Sequence, residues 1–158
     1  MPYELTRDDC HAVKRNDFEA IGRQAKRLAA HVPTKTVLIP VPGHEGYATH
    51  TLLLSKAIAL QCENDGKTVL VWDALEGNSR PSLCELKQEQ RDPGAIKIQI
   101  RWKGNLSKRT LQFFTKKSYK IILVDNVIDT GKTVLACQKT VGPLPLLAIG
   151  DTYNHKAQ

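Results

Sequence analysis

Residues 119–133 read Tyr-Lys-Ile-Ile-Leu-Val-Asp-Asn-Val-Ile-Asp-Thr-Gly-Lys-Thr and contain the strongest structural signal of the chain. The apolar run 121–124 predicts a buried strand, and Val134 and Leu135 begin a pattern typical of a helix. A turn from a strand to a helix N-terminus directs backbone N–H groups, hydroxyls and a lysine toward one point. The stretch therefore predicts an anion site, most naturally a phosphate site.

Strand and helix patterns alternate through most of the chain. The predicted strands are 36–41, 68–75, 96–102, 120–124 and 144–149. The predicted helices begin after a capping Asn16, from Thr49 and at Gly131. This alternation predicts an α/β fold, a single domain over 1–158 with a parallel sheet flanked by helices. Ligands bind at the carboxyl ends of such strands, where 42–46 and 125–133 fall.

The stretch 76–94 interrupts this alternation. It contains two glycines and two prolines, with scattered charges and few apolar residues. A loop of about this length inside a compact domain is usually either functional or a sign that the elements are wrongly assigned. We therefore expect a long flexible loop or flap at about 76–94.

Composition restricts the class of protein. The chain has 158 residues, a net charge of +7 and a sequence pI near 9.3, which suits nucleic acid, a phosphorylated small molecule or simply a basic surface. No apolar run approaches the ~20 residues that span a bilayer, so we expect no membrane partner and a cytoplasmic location. The four cysteines lie far apart without metal-ligand spacing, which favours free thiols and argues against zinc.

The chemistry of 125–133 separates two kinds of phosphate site. A nucleotide-triphosphatase P-loop needs glycine five positions before Gly131, and that position holds Asn126. The P-loop is therefore excluded. Asp125 and Asn126 instead suit the vicinal hydroxyls of a ribose, and Thr130 and Thr133, with the N–H groups of 130–133, suit its 5′-phosphate. This spacing predicts a ribose 5-phosphate site.

The same residues resemble the signature of the type I phosphoribosyltransferases, which is an apolar strand, two acidic residues, a short interval and Thr-Gly-x-Thr. The spacing and the Ile-Asp-Thr-Gly-Lys-Thr ending are most similar to the hypoxanthine–guanine branch. Residues 37–42 and the helix that follows are similar to ComF-type proteins, which are associated with DNA uptake. The resemblance implies a type I phosphoribosyltransferase-like fold.

The activity implied by this resemblance is transfer of ribose 5-phosphate from phosphoribosyl pyrophosphate (PRPP) to a nucleobase-type acceptor, with Mg²⁺ and release of pyrophosphate. Asp125 would hold ribose hydroxyls directly or through the metal's waters, and Asp129 would take or orient a proton of the base. The ribose-phosphate residues implied are Asp125, Asn126, Asp129, Thr130, Gly131, Lys132 and Thr133. Those implied for pyrophosphate are Pro42, Gly43, His44, Arg80, Lys87 and Arg91.

One departure from the family pattern leaves an alternative open. Asn126 stands where the family has a second acidic residue, which removes a negative charge near the metal. The alternative is a non-catalytic protein of this fold that binds PRPP or a nucleotide in regulation or DNA uptake. A nucleic-acid partner is less favoured, and a homodimer is left open. Trp72, Trp102 and Tyr153 are candidates for stacking on a base, although packing is the favoured role of each.

Overall fold

A computed structural model describes residues 3–81, 97–105, 107–128 and 131–151. In these residues the helices are α1 (Tyr3–Lys14), α2 (Phe18–Ala29), α3 (His50–Asn64), α4 (Ser107–Lys116) and α5 (Lys132–Val141). The strands are β1 (Thr36–Pro40), β2 (Val69–Val71), β3 (Leu75–Gly77), β4 (Ile100–Trp102), β5 (Lys120–Ile128) and β6 (Leu146–Asp151).

A four-stranded parallel sheet has the order β2-β1-β5-β6. The helices between consecutive strands are the crossovers that parallel pairing requires. β3 and β4 form a separate antiparallel pair, in which Leu75 lies opposite Trp102. The prediction of an α/β fold with a parallel sheet flanked by helices is therefore confirmed.

Two apolar layers cover the faces of the sheet. On one face α1, α2 and α3 pack against alternate residues of the central strands, including Leu38, Ile122 and Val124. On the other face Val37, Ile39 and Leu123 pack with α5, α4 and the β3–β4 pair. Strands buried on both faces explain why β1 and the first half of β5 read as continuous apolar runs.

An aromatic cluster lies beneath the β3–β4 pair. Trp72 stacks on Trp102 with a ring-centroid distance of 5.6 Å, and Phe114 contacts Trp72 at 5.7 Å. Packing, the favoured role of both tryptophans, is therefore confirmed. Tyr153 lies outside the described residues.

Several local predictions differ from the structure. Asn16 does not cap α2: its φ of 58° is left-handed, a conformation that asparagine tolerates, and Asp17 caps instead by accepting a hydrogen bond from Ala20 N at 3.0 Å. The predicted strand 68–75 divides into β2 and β3, because the chain leaves the sheet after Trp72. Helices α1 and α4 were not predicted.

Of the predicted loop 76–94, the structure describes only 76–81, and the first two of these residues belong to β3. Cys10, Cys62 and Cys137 are buried free thiols, as expected, and Cys84 lies outside the described residues. None of the helices in the described ranges is both long enough and apolar enough to cross a bilayer.

Candidate functional site

The two predicted ligand segments begin side by side at one edge of the sheet. The register of β1 and β5 places Pro40 opposite Val124, and Val41 N donates to Val124 O at 2.9 Å. The chain segment 42–46 therefore leaves the sheet next to Asp125. Thr51 Oγ1 donates to Val41 O at 2.7 Å, which fixes the start of α3 to the end of β1.

The loop 42–46 is a tight turn held against β3. Gly43 N donates to Tyr47 O at 2.8 Å, and Gly77 N donates to Gly46 O at 2.9 Å. Gly46 has a φ of 93°, and a Cβ there would lie 2.5 Å from the carbonyl oxygen of Gly77. Only glycine permits this approach, since other residues rarely adopt such a φ and would collide with the backbone. Pro42 is buried, whereas the side chain of His44 is exposed.

Arg80 joins this loop to the first turn of α5. Its backbone N–H donates to His44 O at 2.8 Å, and its Nη1 donates to Gly43 O at 3.2 Å. Its Nη2 reaches Thr133 Oγ1 at 3.4 Å. The pKa of Arg80 is lowered by burial, while the nearby Cys137 and Asp125 act in the opposite direction. A guanidinium is therefore held between two segments that are far apart in sequence.

Asp125 is an acidic group at this edge. Its side chain is half-buried, and Oδ1 accepts a hydrogen bond from Asn126 N at 2.7 Å. Desolvation raises the pKa of Asp125 to about 6, although that hydrogen bond and the charges of Lys14 and Arg80 favour its ionised form. At neutral pH the group is a carboxylate surrounded by protein and still accessible to a ligand.

Asn126 does not lie beside Asp125. It is 1% exposed, and its Nδ2 donates to Cys10 O in α1 at 2.9 Å. β5 continues past Asn126, with Val127 opposite Gly150 of β6, so adjacent side chains still point to opposite faces. The structure thus places Asn126 in the core, apart from the residues predicted with it for ribose binding.

The remaining predicted residues divide into two groups. Gly131 has a left-handed φ of 69° and precedes α5, whose first residues are Lys132 and Thr133; Leu135 N donates to Gly131 O at 2.9 Å. The predicted helix N-terminus after Gly131 is therefore present. Four predicted residues lie outside the described ranges, namely Lys87, Arg91, Asp129 and Thr130.

The structure adds two residues that sequence reasoning did not assign to the site. Lys14 ends α1, and its positive charge acts on both Asp125 and His50. His50 begins α3, and its ring lies 3.9 Å from where a Cβ on Gly43 would be. Desolvation, followed by the charges of Lys14 and His44, lowers the pKa of His50 to about 4. No sequence motif marked either residue.

The edge is suited to a magnesium ion that is carried by a phosphorylated ligand. Magnesium usually binds one or two protein carboxylates together with substrate phosphates. Asp125 supplies one such carboxylate. Within the described ranges, no three His, Cys, Asp or Glu side chains form a group that would hold a metal by themselves. These residues therefore fit shared coordination with a ligand better than a metal cage made by protein alone.

Comparison with models of known protein families finds no family that matches the chain. A search of the curated proteins likewise finds no match.

Proposed function

We propose that the chain is a phosphoribosyltransferase of the type I class, which transfers ribose 5-phosphate from PRPP to a nucleobase-type acceptor and releases pyrophosphate. The observation that supports this most directly is the position of Arg80. Its guanidinium lies between Gly43 O of the loop 42–46 and Thr133 Oγ1 at the start of α5. Residues 131–133 are called the phosphate turn below. A cation held between these two segments suits a ligand that carries a phosphate at one end and a pyrophosphate at the other.

Each described segment has a part in this proposal. The turn before α5 would bind the 5′-phosphate through its N–H groups and Thr133, because a helix N-terminus favours an anion. Asp125 would accept hydrogen bonds from ribose hydroxyls. The loop 42–46 and Arg80 would bind the pyrophosphate. Magnesium, when bound with the substrate, supplies charge neutralisation for the departing pyrophosphate.

In the reaction, the bond between ribose C1 and the pyrophosphate oxygen breaks and a bond from C1 to an acceptor nitrogen forms. The bonding electrons leave with pyrophosphate, and the acceptor nitrogen loses its proton. Positioning of the two reactants provides much of the rate enhancement in such a transfer. Asp129 as the group that takes or orients that proton stays a prediction, since it lies outside the described residues.

Titration calorimetry tests the binding step. With Mg²⁺ present, we expect PRPP to bind at micromolar to submillimolar concentration, and ribose 5-phosphate to bind more weakly because it lacks the pyrophosphate. Release of pyrophosphate is then measured with a panel of purine and pyrimidine bases. Absence of PRPP binding at millimolar concentration would overturn the proposal.

A second function is favoured by the position of Asn126. The described part of 125–133 contains one carboxylate, Asp125, because Asn126 replaces an acidic residue and points into the core. This arrangement supports binding of PRPP or a nucleotide without turnover, in a regulatory or DNA-handling role. PRPP binding without pyrophosphate release from any base of the panel would favour this second function.

A further inference from the structure

A cleft of about 770 Å³ runs along α5 and begins beside the phosphate turn. One wall is the exposed side of α5, from Lys132 to Thr140. The other wall is formed by the β3–β4 pair and the residues next to it, including Asn78 and Ile98. Thr140 Oγ1 donates to Ile100 O at 2.8 Å and thereby holds the two walls together.

The cleft is cationic around an apolar floor. Arg101, Lys132 and Lys139 line it, and none of the described lining residues is acidic. Arg101 pairs with Glu76 at 2.7 Å, yet its side chain remains 81% exposed. Leu135 is 58% exposed at the centre of the helical wall and faces the cleft with Ile98 and Ile100. Leu135 therefore offers an exposed apolar surface between two lysines of the same cleft wall.

The position of the cleft indicates the chemistry of that ligand. Lys132 belongs both to the cleft and to the phosphate turn, and Asn78 lies two residues from Arg80. Lys132 and Lys139 are seven residues apart on α5, which corresponds to about 10 Å along the helix axis. A ligand that extends from the start of α5 along the helix therefore reaches a second cation about 10 Å further on.

We propose that this cleft binds a single strand of nucleic acid, with its phosphates near the lysines and its bases against the Leu135 floor. This proposal goes beyond the transferase reaction. It rests on the proposed function in one respect: a ligand with phosphates is preferred to an acidic peptide because the cleft begins at the proposed phosphate turn. No aromatic side chain lines its described part, so the backbone dominates binding and sequence preference is weak.

Fluorescence anisotropy with a 3′-labelled twelve-nucleotide thymidine strand tests the proposal on the full chain. Contacts of three phosphates with Arg101, Lys132 and Lys139 predict a salt dependence of the association constant K. A plot of log K against log salt concentration should have a slope of about −2, at about −0.7 for each contact. Lys139→Glu is expected to weaken binding at least about tenfold and to make the slope shallower by about 0.7. Leu135→Glu, also at an exposed position, is expected to weaken binding to a similar extent.

The matched control is Lys56→Glu on α3, an exposed lysine on the opposite face of the sheet, which is expected to change binding less than twofold. The proposal is overturned if Lys139→Glu and Leu135→Glu both bind the strand with wild-type affinity. It is also overturned if Lys56→Glu loses as much affinity as these two variants. Tighter binding of a twelve-residue polyglutamate than of the thymidine strand also overturns it, in favour of an acidic protein partner.

The two proposals fail separately. PRPP calorimetry on Lys139→Glu is expected to match the wild type, because Lys139 lies outside the PRPP site. Suppose that the strand binds, that Lys139→Glu weakens this binding, and that PRPP does not bind. The transferase proposal then fails and the cleft proposal stands. If PRPP binds and the strand does not, the transferase proposal stands and the cleft proposal fails.

Discussion

The two faces of β5 at its carboxyl end differ sharply although their residues are adjacent in sequence. On the face toward α5, Asp125 is half-buried next to Arg80 and stays accessible to a ligand. On the face toward α1, Asn126 is 1% exposed and donates to Cys10 O. The first face is suited to binding, and the second attaches α1 to the sheet.

This difference shows that a pair of polar residues at a strand end is not necessarily a single site. The interpretation of both residues as ribose ligands requires the strand to end before them. β5 instead continues to Ile128 because β6 pairs with it up to that residue. As long as pairing continues, consecutive side chains point to opposite faces.

The largest expected effect tests the core face. Asn126→Asp would place a carboxylate against the Cys10 carbonyl, which is an acceptor, and is expected to lower the free energy of unfolding at pH 7 by about 3 to 5 kcal/mol, as for an unpaired buried charge. The loss should shrink as pH falls from 7 toward 4, because a protonated carboxyl can donate to that carbonyl. Urea unfolding at pH 7 and pH 4.5 measures both effects. Unchanged stability together with tighter Mg²⁺-dependent PRPP binding would instead place Asn126 in the ribose site.

The next effect tests the binding face through Arg80. Arg80→Lys keeps the charge but loses the planar fork that reaches both Gly43 O and Thr133 Oγ1. We expect PRPP affinity to fall about a hundredfold, or about 2.7 kcal/mol, since lysine does not replace a bidentate arginine. Calorimetry measures the change. The control is Arg23→Lys on α2, which packs on the other face of the sheet. Equal affinity in the two variants would remove Arg80 from the site.

Asp125→Asn should have an effect on stability opposite to that of Asn126→Asp. The folded pKa of Asp125 is about 6, above its ordinary value of 3.8, so the folded protein holds this proton more tightly than the unfolded chain. Ionisation of Asp125 therefore lowers the free energy of unfolding. This penalty is absent below about pH 4 and complete above about pH 6. We expect the variant to gain about 2 to 3 kcal/mol at pH 7 and little at pH 4, while PRPP binding is lost.

Urea unfolding at the two pH values measures this gain. The substituted amide keeps an oxygen that can accept from Asn126 N, so the main change is the loss of charge. An equal gain at pH 4 and pH 7 would show that ionisation of Asp125 is not its cause.

The smallest expected effect concerns His50. Its folded pKa of about 4 lies below the ordinary 6.5, so the unfolded chain binds more protons between these values. This contribution to stability is complete above pH 6.5 and is lost as pH falls toward 4, opposite in sign to that of Asp125. Protonation of His50 in the unfolded chain should lower the stability of the wild type by about 1 to 2 kcal/mol between pH 7.5 and pH 5. The His50→Gln variant should lack this part of the decrease.

Urea midpoints across pH 4 to 7.5, measured in the Asp125→Asn background, isolate the His50 contribution. His31→Gln, at an exposed histidine before β1, is the control and should leave the pH profile unchanged. An unaltered profile in the His50 variant would show that another group causes the acid sensitivity.

The sequence predicted the parts of the fold that depend on local pattern. The apolar runs of β1 and β5 and the turn from Gly131 into α5 follow from strand burial and helix geometry. Helix α1 was not predicted, because its buried residues Cys10 and Val13 stand among polar ones and give a weak apolar stripe. Without α1, the core position of Asn126 and the approach of Lys14 could not be inferred.

Periodicity, glycine conformation and strand burial act over a few neighbouring residues. Sequence patterns were therefore enough to predict the parallel α/β architecture and the helix that begins after Gly131. The placement of Asp125 and Asn126 on opposite faces follows from the pairing of β5 with β6 and could be seen only in the folded chain. The structure alone also brought Arg80 to both Gly43 and Thr133. These outcomes depend on strand register and on crossovers between distant segments, which no local pattern encodes.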